Sequence, residues 1–535
     1  MNPVTEPLLK ISARWTLILL LLAVMVWVGR LDLLPPLEKD ELIHHLAIPS
    51  LWLRAGGFIE TPWATFSYYP MNLDLLYLLP LALDLDVAAH FLHHAFGLAA
   101  AALIFGHLRR RLGLNWALLG ALILLSTPLV MRLAASANVD LGLAFFFTAA
   151  WLGLIRWHEE NRNIHLVLSG LALGLALGTK YQGLIGLPPL ALAVFLLRPG
   201  TGGRFLPGLA RAAVYIFLAL AVWSPWLIKN YFLTGNPTYP LLNSWWGLPG
   251  LIPTGLEIDM FTQRRFYYGE GFVDYILIPL RFFLQGRDFT PQFFDGVLNP
   301  FLLVWPVLAL IKPRFRETRP LALLALYWVM VIFLTGPINR YLAPSLPILA
   351  LLSVYGLERL WTLDLRKPFQ PALRAGLVLT LAGQLAFNAA WARDFWKYLD
   401  PGPFLSGRET RDQYLTRTLD HYPAMKFINA HLPPKARILF LYAGERGYYC
   451  QRDYFYRTWH SGEAIRPILE KAASARAVVQ GLKQLGATHL LTRDPLLFDY
   501  LKETAGGRYL KTWIEGRKLM VPLFREQGYT VYALE

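Results

Sequence analysis

Apolar runs recur along the chain from Trp15 to Trp391, separated by short polar hinges. Many reach about 15–20 residues, close to what a helix needs to cross a ~30 Å hydrocarbon layer. The pattern predicts about eleven spans, near 15–34, 87–108, 115–133, 139–157, 165–179, 183–197, 208–228, 297–311, 320–336, 341–360 and 373–392. The stretches 165–179 and 183–197 are short for a span. One or two such runs would fit the core of a soluble protein; a whole series with Arg-rich hinges reads as a polytopic membrane protein. From about residue 394 the pattern changes to regular charges and strand-like runs. A strand at 437–442, a helix at 472–485 and a strand at 487–492 predict a small α/β domain, with Asp400-Pro401-Gly402-Pro403 as linker. The expected fold is an all-α polytopic membrane domain over 1–393 followed by a soluble α/β domain over 394–535. No internal repeat is visible, which weighs against transporters built from duplicated halves.

Charge sharpens the topology. Only 16% of residues are charged, against roughly 25% in soluble proteins. The net charge of +15 would suggest nucleic acid, but the basic residues sit between apolar runs, as cytoplasmic loops retain them. With the N-terminus inside, Arg109 to Arg111, Arg156 and Arg162, Arg198 and Arg204, Lys312 to Arg319, and Arg366 with Lys367 all fall on the inner side. The same count places 30–86, 229–299 and the tail outside. The run 275–284 is too short to cross and is expected at the interface or as a half-span. Lys10 and Arg14 precede the run 15–28 like a signal sequence, but without a small-residue cleavage site it reads as an uncleaved anchor in the inner membrane. The single cysteine, Cys450, excludes an intrachain disulfide and a Cys-based zinc site.

Candidate chemistry gathers at the outer ends of the spans. Asp40 and Glu41 follow the first span in a loop that holds Phe58, Trp63, Phe66, Tyr68 and Tyr69. Adjacent acids near a membrane are often simply solvated, yet this loop is too apolar for free solvent. An acid packed there is expected to have a raised pKa, which suits a base. Asp140 opens the fourth span, where capping the helix is the plain alternative. Lys180 in Gly178-Thr179-Lys180-Tyr181, Arg340 in Asn339-Arg340-Tyr341, and Lys229 beside Asn230 put several cations at one outer face. Snorkelling accounts for one such cation; an anionic ligand accounts for all of them. His44, His45, His90, His93 and His94 suggest a metal cluster, but no His-Glu-x-x-His pattern supports it. No Walker loop, glycine-rich nucleotide fingerprint or Gly-x-Ser-x-Gly elbow is present.

The segment Asp40-Glu41-Leu42-Ile43-His44-His45 resembles the first outer loop of GT-C glycosyltransferases, a superfamily that includes protein O-mannosyltransferases, the aminoarabinose transferase of lipid A and many uncharacterised bacterial relatives. Further resemblances follow in order: Tyr69-Pro70-Met71-Asn72 with Leu76-Tyr77; Asn138-Val139-Asp140; Gly174 through Lys180-Tyr181; Ser224-Pro225-Trp226 with Lys229-Asn230 and Gly235-Asn236-Pro237; and Arg340-Tyr341. Lys229 stands where the family has Arg. The likeness is greatest to the bacterial relatives.

The resemblance implies a sugar donor carried on a polyprenyl phosphate and an acceptor glycan, lipid or protein; no cofactor is expected, with a divalent metal the open alternative. It implies Asp40 as base, with Glu41 and Asp140 in support, and Lys180, Arg340, Tyr341, Lys229 and Asn230 at the lipid phosphate. His44, His45 and Tyr69 would position acceptor or sugar. A flippase of lipid-linked glycans and a non-catalytic membrane adaptor are the rival readings; a pathway across the bilayer would need charges at mid-depth.

Overall fold

The computed structural model describes residues 5–197, 205–248, 259–366, 368–456 and 462–534. The hinge residues Arg198, Arg204 and Lys367 lie outside the described residues. Each of the eleven apolar stretches contains a helix. Among the described residues, seven are long and apolar enough to cross a membrane: Ile11–Leu31, Ala88–Leu112, Asp140–Glu160, Phe205–Thr234, Thr318–Thr335, Asn339–Trp361 and Phe369–Leu399. Asn163–Thr179, Gly183–Leu196 and Phe301–Leu308 are shorter.

The stretch 115–133, expected as one continuous span, is two helices. Leu114–Leu125 and Pro128–Ala134 meet at 70°. Pro128 has no N–H to continue the ladder, and it holds Thr127 extended (φ −63°, ψ 127°). The bend directs the second helix toward the first polar loop. The run 275–284 is also broken, into Phe272–Ile276 and Ile278–Leu284.

Small residues let the middle helices approach. A Cβ on Gly174 would lie 2.7 Å from the Ala219 carbonyl, so Asn163–Thr179 packs backbone to backbone on Phe205–Thr234. Ser169 Oγ donates to Ala150 O at 2.6 Å, tying in Asp140–Glu160. The helices Ile11–Leu31 and Phe369–Leu399 bury little of themselves in the protein, as spans facing lipid would.

The tail holds a five-stranded sheet in the order β2-β1-β3-β5-β4. The strands are β1 (Arg437–Leu441), β2 (Asp453–Phe455), β3 (His489–Arg493), β4 (Val521–Glu526) and β5 (Tyr529–Ala533). β1 runs parallel to β2 and β3, while β5 is antiparallel to β3 and β4. β1 buries Ile438 to Leu441 and β3 buries Leu490 to Thr492, as central strands covered on both faces must. Gln527 and Gly528 both have positive φ, the geometry of a two-residue hairpin joining β4 to β5.

The tail is docked on the first polar loop. Tyr448 N–H donates to Leu42 O (3.1 Å) and Tyr449 Oη to Pro36 O (2.8 Å). Arg54 Nη1 reaches Cys450 O at 2.9 Å, and Arg411 forms a two-pronged ion pair with Asp86. Trp63 sets its ring against Tyr454 and Tyr456. Burial pushes the Cys450 thiol up to about 11, so it stays protonated and unreactive at neutral pH.

Candidate active site

Glu41 organises the loop. Its Oε2 accepts from Leu37 N–H (3.0 Å) and Glu38 N–H (2.9 Å). Its Oε1 accepts from Ala137 N–H and lies 3.0 Å from His90 Nε2. At 1% exposure, Glu41 has no face for a substrate; it pins the loop to the turn after the helix Pro128–Ala134. A wide turn follows, closed by Leu46 N–H to Glu41 O at 3.0 Å.

Asp40 points the other way and forms an ion pair with Arg340. Asn339 anchors the backbone that carries Arg340. Its backbone N–H donates to Phe294 O (2.6 Å), and its Nδ2 to Phe282 O (2.9 Å) and Gly296 O (2.7 Å). The close fit requires a glycine at 286, where a Cβ would lie 2.7 Å from Asn339 Nδ2.

A second pair stands beside the first. Lys180 Nζ donates to Asp140 Oδ1 at 2.8 Å, and Asp140 Oδ2 has no partner among the described residues. Arg340 and Lys180 both lie over the Tyr341 ring, at 5.4 and 5.1 Å from its centroid. Asp140 is within electrostatic reach of both cations. The capping role considered for Asp140 falls elsewhere: Leu141 N–H donates to His93 Nε2 at 2.9 Å. His93 Nδ1–H in turn donates to the Leu133 and Ser136 carbonyls, which fixes a neutral imidazole.

Aromatic residues line the same region. The His44 ring lies 4.0 Å from His45 and stacks at 4.3 Å on Phe66. Tyr69 packs between Phe66 and Tyr181. His45 Nδ1 is 2.6 Å from Asp74 Oδ1.

The raised pKa expected of Asp40 is not what this geometry produces. Burial pushes the carboxyl up, but the Arg340 guanidinium outweighs it and holds the group far below the usual carboxylate range. Burial, with His45 adjacent, holds the His44 imidazole well below its ordinary value, and so neutral.

The five histidines weighed against a metal cluster in the sequence are divided. His90, His93 and His94 serve Glu41, the Leu141 amide and Asp32. His44 and His45 instead meet Asp40, with one ligand atom from each within 4.8 Å of the others. These three could hold a divalent cation, with Asp74 orienting His45 from behind, provided that Asp40 gives up Arg340.

Lys229 and Asn230 are bound to the loop itself. Lys229 Nζ donates to Ser67 O (2.6 Å) and Asn230 Nδ2 to Tyr68 O (2.8 Å), which makes them supports for the turn before Tyr69. Arg132 escaped the sequence reading. It lies 4% exposed and pairs with Glu38 (2.9 Å), Asp288 (2.9 Å) and Asp295 (2.8 Å). An ionisable residue inside a predicted span was the available signal.

Residues 76–228 match the family model of dolichyl-phosphate-mannose-protein mannosyltransferases. In three dimensions the chain is similar to ArnT from Cupriavidus metallidurans, with a TM-score of 0.60, 16% identity, and coverage of 97% of this chain and 98% of that one. The chain has the GT-C fold. The same ArnT bound to undecaprenyl phosphate aligns over the same shares at a TM-score of 0.59. The archaeal oligosaccharyltransferase AglB from Archaeoglobus fulgidus, in complex with an inhibitory peptide and a dolichol-phosphate, has a TM-score of 0.50 and 13% identity, covering 97% of this chain and 74% of its own. No curated protein matches the chain in sequence. The stretch matched by the family model contains Asp140 and Lys180; Asp40 and Arg340 lie outside it and join them only in space.

Proposed function

We propose that the protein is a membrane glycosyltransferase that moves a sugar from a polyprenyl phosphate to an acceptor hydroxyl at the extracytoplasmic face. The observation that carries this reading is the adjacency of two ion pairs, Asp40 with Arg340 and Asp140 with Lys180, over one tyrosine ring. Asp40 takes the acceptor's hydroxyl proton as the oxygen attacks the anomeric carbon. The bond from that carbon to the phosphate oxygen breaks, and the configuration inverts. The electron pair leaves with the lipid phosphate, whose growing charge Arg340 and Lys180 stabilise.

A carboxylate held far below its usual range is a weak base, so Arg340 must loosen before Asp40 can act. The incoming phosphate supplies the reason, because it competes for the same guanidinium. As Arg340 turns to phosphate, Asp40 becomes more basic where the proton has to be taken. Among the candidate acceptors, a glycan, a lipid or a protein, each offers the hydroxyl this scheme needs. No metal enters the scheme, and the expected result of chelator treatment is unchanged turnover.

The test is incubation of the purified chain in lipid nanodiscs with undecaprenyl-phosphate sugars, followed by mass spectrometry of released carrier and product. Asp40→Asn should lower turnover by about 10²–10⁴-fold, the usual contribution of a general base, while folding and insertion persist. A fully active Asp40→Asn enzyme would end the base assignment.

A further inference from the structure

Arg132 lies buried in the short helix Pro128–Ala134, in the continuation of an apolar run where an ionisable side chain is costly. It holds three carboxylates at once. Nη1 donates to Asp288 (2.9 Å) and Asp295 (2.8 Å), and Nη2 to Glu38 (2.9 Å). Its guanidinium also lies 4.4 Å from the centroid of the Phe289 ring. A planar fork can meet acids on two sides in this way; a single ammonium on a flexible stem would not.

The three partners differ in what else they can reach. Asp288 is tied down, because its second oxygen accepts from Trp391 Nε1 at 2.7 Å. Glu38 lies two positions before Asp40. Asp295 lies between Phe294 and Gly296, whose carbonyls accept from Asn339, the residue before Arg340. Glu38 and Asp295 are both within electrostatic reach of Arg340. Without Arg132 these two carboxylates would be charges out of full solvent with no guanidinium of their own, and such charges are costly until they find a cation. Arg340 could supply one: its Nε is buried and has no partner among the described residues. A phosphate arriving at a guanidinium shared by Asp40, Glu38 and Asp295 would have to displace three carboxylates rather than one.

We propose that Arg132 is a positioning residue for the transfer: by engaging Glu38 and Asp295 it leaves Arg340 to Asp40 alone, and so keeps Arg340 available to the carrier phosphate. Arg132 acts through Arg340 and not on the substrate. The proposal rests on the transferase reading, and the experiment separates the two.

Equilibrium binding of undecaprenyl phosphate, and of undecaprenol, which lacks the phosphate, is measured on the full-length protein in lipid nanodiscs. Arg132→Gln should weaken undecaprenyl phosphate about tenfold, a usual size for coupling between two sites, and change undecaprenol by less than about twofold. Adding Glu38→Gln and Asp295→Asn removes the competing charges and should return undecaprenyl phosphate to within about threefold of the wild-type affinity. This compensated chain gives the answer even where Arg132→Gln alone does not fold. Equal loss of both ligands, or no loss of undecaprenyl phosphate, overturns the proposal. So does a compensated chain that fails to fold or binds as weakly as Arg132→Gln, because Arg132 would then be structural. Carrier release from an undecaprenyl-phosphate sugar by the wild-type chain is measured in parallel. Release without the phosphate-selective loss removes the role of Arg132 alone. Selective loss without release removes the transferase reading, and with it the part in transfer, leaving Arg132 as the guard of a phosphate site.

Discussion

At the end of the helical bundle that carries the tail, Asp40 and Asp140 each meet one cation, Arg340 and Lys180. At the opposite end, Glu317 collects three donors through one oxygen: Tyr355 Oη at 2.9 Å, Arg111 Nε at 3.2 Å and His107 Nε2 at 3.3 Å. The helix Ala88–Leu112 connects the two ends, with His90 near the first and His107 near the second, roughly 25 Å apart along its axis. Both clusters are buried and charged, yet they differ in what can be exchanged. A carboxylate with several protein donors has no reason to accept another, and its network fixes helix ends. A carboxylate held by one flexible cation can trade that cation to a ligand. Desolvation makes an abandoned buried charge costly, so such a trade requires a ligand that brings its own charge, as a phosphate does.

Substitutions at the two ends test this contrast. Arg340→Gln should have the largest effect, about 10³-fold in turnover, comparable to losing a principal electrostatic stabiliser. The same change removes the cation that holds Asp40 down. The carboxyl then rises, so the acid limb of the rate profile should move to higher pH; a limb that stays in place would break the link between the two residues. Lys180→Ala should cost about 10²-fold with little change in the acid limb, because Asp140 rather than Asp40 is its direct partner.

At the far end, Glu317→Ala should lower stability by about 3 kcal/mol, as expected when a buried network loses one member, while turnover of the surviving protein changes less than about threefold. A rate loss as large as that of Arg340→Gln would erase the distinction between the ends.

The last effect concerns the tail and is confined to neutral and alkaline pH. Burial pushes the Glu445 carboxyl up to about 7, with Lys39 opposing. The folded chain therefore keeps a proton that the unfolded chain releases near pH 4, and stability falls as pH rises through that window. Glu445→Gln should remove this loss, making the folded chain more stable than wild type at pH 8 by up to about 3 kcal/mol, read as a higher thermal midpoint, with a much smaller difference at pH 5.

The membrane architecture was legible because spacing and charge repeat over hundreds of residues. The ordered motifs also pointed to Asp40, Asp140, Lys180 and Arg340, which the fold brings together as pairs. The pairing was not legible, since 300 positions separate Asp40 from Arg340. The resemblance gave Asp40 and Glu41 different tasks, but the physical reason was not legible; it lies in the Ala137 amide, which takes Glu41. That amide lies beyond the bend at Pro128, where the apolar pattern continues unbroken and a straight span was expected. In the tail, β1 and β3 stood out as apolar runs. β4 is a mostly exposed edge strand carrying Pro522, Arg525 and Glu526, and it has no such signal; the Gln527-Gly528 turn was its only mark.

The contact between Tyr449 and Pro36 joins positions 413 residues apart. Chains are made at about 5–20 residues per second, so roughly 20–80 s pass between the synthesis of the two partners. During that interval the first loop stands without the clamp that shapes it. Completion of the chain therefore acts as a timer: the loop that carries Asp40 takes its final setting only when the last domain has folded onto it, and a prematurely terminated chain is expected to leave that loop unset.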